Sequence, residues 1–133
     1  MNKKELMHRF YNRNIKLSKN VASEIIDDII RIKGKVLVFG LGFDSELWFN
    51  ANGCKDVWFI EENIKYIDMN PNIPRENVIY HKFENIDLYK SSKLQDEDLE
   101  KYPLPKGIDK IIGNGFDIII IDGPTGCFPT SPS

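Results

Sequence analysis

Lys35-Val-Leu-Val-Phe-Gly-Leu-Gly42 decides the fold. Four apolar residues, Val36 to Phe39, run straight into Gly40 and Gly42. A short, continuous apolar run of this kind predicts a strand buried on both faces, as in a parallel sheet. The glycines let the backbone turn sharply and leave room for a ligand to approach. Phe43 to Trp48 then opens a helix, with Asp44 or Ser45 as its N-cap. Strand, glycine turn and helix start together predict the nucleotide-binding corner of a doubly wound fold.

Working outward, the preceding segment is helical. Residues 3 to 13 predict a short amphipathic helix with Leu6, Phe10 and Tyr11 on its apolar side. Ser18 suits the N-cap of a second helix from about Lys19 to Lys33, with an isoleucine-rich stripe and Gly34 at its C′ position. Residues 1–34 are therefore expected to pack on the sheet that begins at Lys35. Downstream, Asp56 to Glu61 predicts a second strand, reached by a right-handed crossover ending at Gly53. A short helix over Asn63 to Met69 and a third strand from Asn77 to Phe83 follow. Residues 84–114 predict one or two short helices and a surface loop. Phe116 to Asp122 predicts a fourth strand, expected to be central because it is the most apolar. The expectation is one α/β, Rossmann-like domain with a mainly parallel sheet of about four strands. Residues 35–133 form its cofactor-binding part. After Asp122 no further element is legible, so the chain reads as the front portion of a larger domain, with an incomplete sheet through which it could self-associate.

Composition excludes several classes. With 41% hydrophobic and 29% charged residues the chain is globular rather than disordered. A formal net charge of −2 argues against a nucleic-acid partner. The basic residues Lys3, Lys4, Arg9, Arg13, Lys16 and Lys19 are interleaved with other types and read as a solvated face. No apolar run approaches the roughly 18 residues of a membrane span, and Met1 to Phe10 lacks the apolar core of a secretory signal. Two cysteines, Cys54 and Cys127, make no disulfide framework. From the residues alone the chain is expected to be soluble and intracellular, in the cytoplasm or another reducing compartment.

The chemistry-bearing residues lie at the strand ends. Glu61 stands 21 residues after Gly40, with Glu62 next to it. A carboxylate there can accept hydrogen bonds from both hydroxyls of a ribose whose adenosine lies over the glycine turn. A dinucleotide site would have glycine at position 45, where this chain has Ser45, and Asp44 places a negative charge where pyrophosphate would rest. A cofactor without phosphate, such as S-adenosylmethionine, avoids that clash. No Gly-Lys-Ser/Thr follows the strand, which argues against a triphosphate. Asp122, beside Gly123-Pro-Thr-Gly126, could orient an acceptor or take a proton, or could simply cap the turn. His8 and His81 have no metal-ligand partners at suitable spacing, and no metal is expected. Trp48, Phe49, Trp58 and Phe59 read as core aromatics rather than an adenine platform.

Val38-Phe-Gly-Leu-Gly-Phe-Asp-Ser45 with Trp48, then Phe59-Ile-Glu-Glu62, then Asp117 to Gly126 with Phe128, resembles the plant polysaccharide-biosynthesis family that includes glucuronoxylan 4-O-methyltransferases. The family pattern is a FGLGHDS-like turn, a FLEED-like strand end and a DAPTGY-like turn, in the same order and spacing. The resemblance covers residues 35 to 83 and 116 to 132. It implies that Gly40, Gly42, Asp44 and Ser45 line an S-adenosylmethionine site, that Glu61 or Glu62 holds the ribose, and that Asp122 lies near a carbohydrate acceptor. The implied reaction is methyl transfer to a hydroxyl of a glucuronic acid side group, and the implied compartment is the Golgi. Phe43 stands where the family has His, Gly123 where it has Ala, and Cys127 where it has an aromatic residue. The alternative expectation is a non-catalytic relative that keeps the fold as a binding or scaffolding module.

Overall fold

The computed structural model of the 133-residue chain describes residues 1–82 and 105–121. Two helices lead in, α1 (Lys3–Phe10) and α2 (Lys19–Ile32). Local chemistry sets their ends. The Asn2 side chain accepts from the Glu5 N–H, and Ser18 Oγ accepts from the Val21 N–H. Each satisfies one of the donors that a helix start leaves open. The first helix stops at Phe10, short of the expected residue 13, and the Tyr11 hydroxyl turns back to donate to the Leu17 carbonyl at 2.8 Å. At the end of α2 the left-handed position is taken by Lys33 (φ 52°), not by Gly34 as expected.

Four strands follow: β1 (Val36–Phe39), β2 (Val57–Glu61), β3 (Val78–Tyr80) and β4 (Ile118–Ile121). Between them lie α3 (Ser45–Ala51), α4 (Ile64–Asp68), a 3-10 turn at Arg75–Asn77 and α5 (Ile108–Ile112). The sheet is all parallel with order β3-β2-β1-β4. This is the expected α/β, Rossmann-like architecture. The third strand is shorter than the expected 77–83; Phe83, residues 84–104 and residues 122–133, including Cys127, lie outside the described residues.

One expectation is overturned. Among the described strands β1 is flanked on both sides, while β4 stands at an edge with Ile119 55% and Ile121 76% exposed. Apolar content reports how many faces a strand could bury, not which neighbours it has. In β4 only Ile118 and Ile120 pack on the main core. That core joins Leu6, Ala22, Ile26, Ile29, Leu47 and Trp48 of the three long helices to Val36, Val38, Val57 and Phe59 of the sheet. The opposite face of β1 is also closed, since Leu37 is buried, so the reading of Val36 to Phe39 as a doubly buried strand holds.

The amino ends of the strands are clasped. The Lys35 N–H donates to Asp117 Oδ2 at 2.7 Å, and the Asp117 N–H returns a bond to the Lys35 carbonyl at 2.8 Å. The Lys35 ammonium lies 4.9 Å from the Phe116 ring centre and 5.5 Å from that of Trp58, a cation–π contact joining the amino ends of three strands.

Candidate functional site

The glycine turn leaves the carboxyl end of β1. Gly40 has φ 110°, a conformation other residues rarely adopt, so the backbone itself demands glycine there. Gly42 is different. Its φ is ordinary, and an added Cβ would meet only Asp44 Oδ1, at 3.7 Å, which is normal contact. Neither backbone nor packing requires a glycine at 42.

Every N–H of the Gly40-Leu41-Gly42 turn is donated inside the protein. The Gly40 N–H bonds to the Ile60 carbonyl at 2.8 Å. The Leu41 N–H bonds to Glu61 Oε1 at 2.7 Å, and the Gly42 N–H to Ser45 Oγ at 2.8 Å. A turn that cradles phosphate does the reverse, aiming its N–H groups outward at the anion.

Ser45 is wholly buried and closes the turn through that bond. Asp44 occupies the N-cap position of α3, yet its side chain makes no capping hydrogen bond. It is 6% exposed, and its Oδ1 faces Gly42. Glu61 closes β2 and is equally buried. Its second oxygen, Oε2, accepts the Asn63 N–H at 2.7 Å. One carboxylate thus ties the turn after β1 to the turn after β2, where Asn63 Oδ1 in turn caps α4 by accepting the Lys65 N–H. Sequence pattern pointed to Glu61 and Glu62 together but missed Leu41 and Asn63, whose contribution is a backbone N–H and carries no residue-type signal. Glu62, the next residue, is half-buried.

The structure therefore brings together Gly40, Gly42, Asp44, Ser45 and Glu61. Asp122 lies outside the described residues. The last described residue, Ile121, is the register partner of Phe39, which precedes Gly40, so β1 and β4 end side by side. This is where strand order reverses, the switch point at which open α/β sheets bind ligands.

Comparison with family models, with curated proteins and with solved structures returned no match.

The other candidates behave as packing residues. Trp48, Phe49 and Phe59 are buried, and Trp58 stacks edge-on against Phe116 at the amino end, remote from the turn. Among the described residues no three His, Cys, Asp or Glu side chains cluster as a metal site. No described helix is long and apolar enough to cross a membrane. Cys54 is exposed, with its thiol 3.2 Å from Asn50 Oδ1.

Proposed function

We propose that the chain is an S-adenosylmethionine-dependent O-methyltransferase acting on a sugar hydroxyl of a polysaccharide with glucuronic acid-like acceptors. The observation that carries this reading is the inward hydrogen bonding of Gly40, Leu41 and Gly42, with the Glu61 and Asp44 carboxylates against the same turn. The turn offers no spare N–H at these positions to a phosphate and sets negative charge beside it. At an effective dielectric of 20, two unit charges 4 Å apart interact by about 4 kcal/mol. The sign favours a cationic cofactor, since pyrophosphate is repelled and a sulfonium attracted. The freedom from steric demand at Gly42 supports the same reading, since a bound nucleoside would need that space.

S-adenosylmethionine supplies a methyl group on a cationic sulfur. The chain's own residues do the rest. Gly42 admits the nucleoside, Glu61 or Glu62 at the end of β2 takes the ribose hydroxyls, and Asp122 orients the acceptor hydroxyl and accepts its proton as the oxygen–carbon bond forms. The exposed Ile119 and Ile121 of the β4 edge support self-association through that edge.

Calorimetric titration with S-adenosylhomocysteine, with NAD and ATP as controls, tests the cofactor. Saturable binding of the first alone is expected; binding of NAD alone would sink the proposal. Gly42→Ala should keep the wild-type melting temperature, because its Cβ meets ordinary contact distance. The same variant should bind S-adenosylhomocysteine at least about ten-fold more weakly, the scale of one lost ordering contact of about 1.4 kcal/mol. Unchanged affinity in Gly42→Ala would remove the close approach at that glycine.

A further inference from the structure

The chain contains two Asn-Gly pairs, Asn52-Gly53 and Asn114-Gly115. Asparagine is chemically labile, most of all before glycine, where no Cβ keeps the following backbone nitrogen from the side-chain carbonyl carbon. We propose that Asn114 is a site of spontaneous covalent modification, converting to aspartate and isoaspartate, while the fold protects Asn52.

The step needs only water. The Gly115 nitrogen gives its proton to hydroxide and attacks Cγ of Asn114. A C–N bond forms, the Cγ–Nδ2 bond breaks, and Nδ2 leaves as ammonia with a proton drawn from water. A second water then opens the succinimide ring. Opening at Cγ leaves a normal aspartyl link. Opening at the Asn114 backbone carbonyl leaves the chain running through the side chain, with an extra methylene in the backbone.

The two pairs differ in what holds the asparagine. Both glycine N–H groups make a turn bond, Gly53 to the Asn50 carbonyl and Gly115 to the Ile112 carbonyl, so attack must break one bond in each. Asn52 is buried, and its Nδ2 donates to the Gly34 carbonyl at 2.9 Å and to the Lys55 carbonyl at 2.8 Å. Swinging its Cγ toward the Gly53 nitrogen gives up both bonds. Asn114 is exposed, and among the described residues its side chain makes no hydrogen bond. It lies in the turn between α5 and β4, with Gly113 (φ 46°) before it and Gly115 (φ 96°) after it. Glycines on both sides leave this stretch of backbone the freedom that ring closure requires.

The modified link immediately precedes Phe116 and Asp117, which clasp Lys35. The Lys35 ammonium also reaches the turn itself, since a Cβ on Gly113 would lie 3.3 Å from its Nζ. An extra methylene between Asn114 and Gly115 therefore shifts the clasp. Conversion to aspartate leaves the backbone path unchanged.

The full chain is aged in mildly alkaline buffer, folded and in urea, beside Asn114→Gln, whose longer side chain closes the ring far more slowly. Peptide mass mapping reads conversion at each asparagine, and fragmentation that separates aspartate from isoaspartate reads the product. In urea both pairs should convert at similar rates. In the folded chain Asn52 should convert at least about ten-fold more slowly than Asn114, the population factor for opening its buried hydrogen bonds. The isoaspartyl form, separated by chromatography, should melt several degrees below the fresh protein, and aged Asn114→Gln should not. A folded chain in which Asn114 stays unconverted, or in which Asn52 keeps pace with it, would overturn the site. An isoaspartyl form that melts with the fresh protein would overturn its effect on the clasp.

Discussion

Trp48→Ala is expected to lower the unfolding free energy by about 3–5 kcal/mol, the range for truncating a large buried aromatic. Trp48 is wholly buried in the core that joins α1, α2 and α3 to the sheet. A domain of this size has about 5–15 kcal/mol of stability in total, so the variant loses a large share. Trp48→Phe separates two contributions. Among the described residues the indole Nε1 is buried without a hydrogen-bond partner, which costs about 1–3 kcal/mol relative to a satisfied donor. Phenylalanine removes that donor while filling most of the space, so its net cost should be about 1 kcal/mol or less. Urea denaturation of both variants, followed by the fluorescence of Trp58, gives the comparison. Equal losses in the two would show that the indole N–H is satisfied and that its hydrogen bond, not its volume, stabilises the core. There is a functional consequence as well. The Trp48 backbone N–H donates to the Asp44 carbonyl at 3.3 Å, and α3 carries Ser45, which closes the glycine turn. Loosening α3 therefore loosens the turn.

The parts of the molecule that sequence made legible are those whose cause is local. Val36 to Phe39 followed by two glycines announced β1 and its turn, because a run of apolar residues and a positive-φ residue each leave a mark on residue type. Ser18 announced the start of α2 because the capping hydroxyl and the N–H it serves are three residues apart. What escaped depends on partners far away in sequence. The edge position of β4 among the described strands follows from its pairing with β1, which no pattern inside Ile118 to Ile121 records. The inward role of Glu61 follows from a bond to Leu41, twenty residues earlier. Gly34 was legible as a glycine near a helix end but for the wrong reason, since Lys33 performs the left-handed step. At the candidate site the residue types were readable and their hydrogen-bond partners were not. Spacing places two acids at a strand end, but only coordinates show that Glu61 holds the Leu41 and Asn63 N–H groups.

Gly34→Ala follows from that correction and is the second large effect. A Cβ at position 34 would lie 2.7 Å from the Cβ of Asp117 and 2.6 Å from its Cγ, and would collide with the carboxylate oxygen that accepts the Lys35 N–H. Turning the Asp117 side chain away relieves the carboxylate but not the Cβ contact, which is fixed by the backbone. That backbone is held in turn by the Asp117 and Ile118 N–H bonds to the Lys35 carbonyl, at 2.8 and 3.2 Å. Overpacking of this kind costs about 1–3 kcal/mol. The displaced hydrogen bond adds about 1 kcal/mol at this exposed position, for a total of about 2–4 kcal/mol. The background decides the cause. In Asp117→Gly the obstructing Cβ is absent, and Gly34→Ala should become neutral or stabilise by about 0.4–1 kcal/mol through the unfolded chain. Denaturant titration of the four proteins in this cycle would show a coupling of more than about 1 kcal/mol between the two positions. Equal costs in both backgrounds would mean that Gly34 is required by its own backbone and that β4 does not press on it. The strand at stake is the one whose carboxyl end adjoins the glycine turn. A substitution at the amino end of the sheet that shifts β4 against β1 also shifts whatever follows Ile121 relative to Gly40. Gly34→Ala should therefore weaken binding at the opposite edge of the sheet while touching none of its residues.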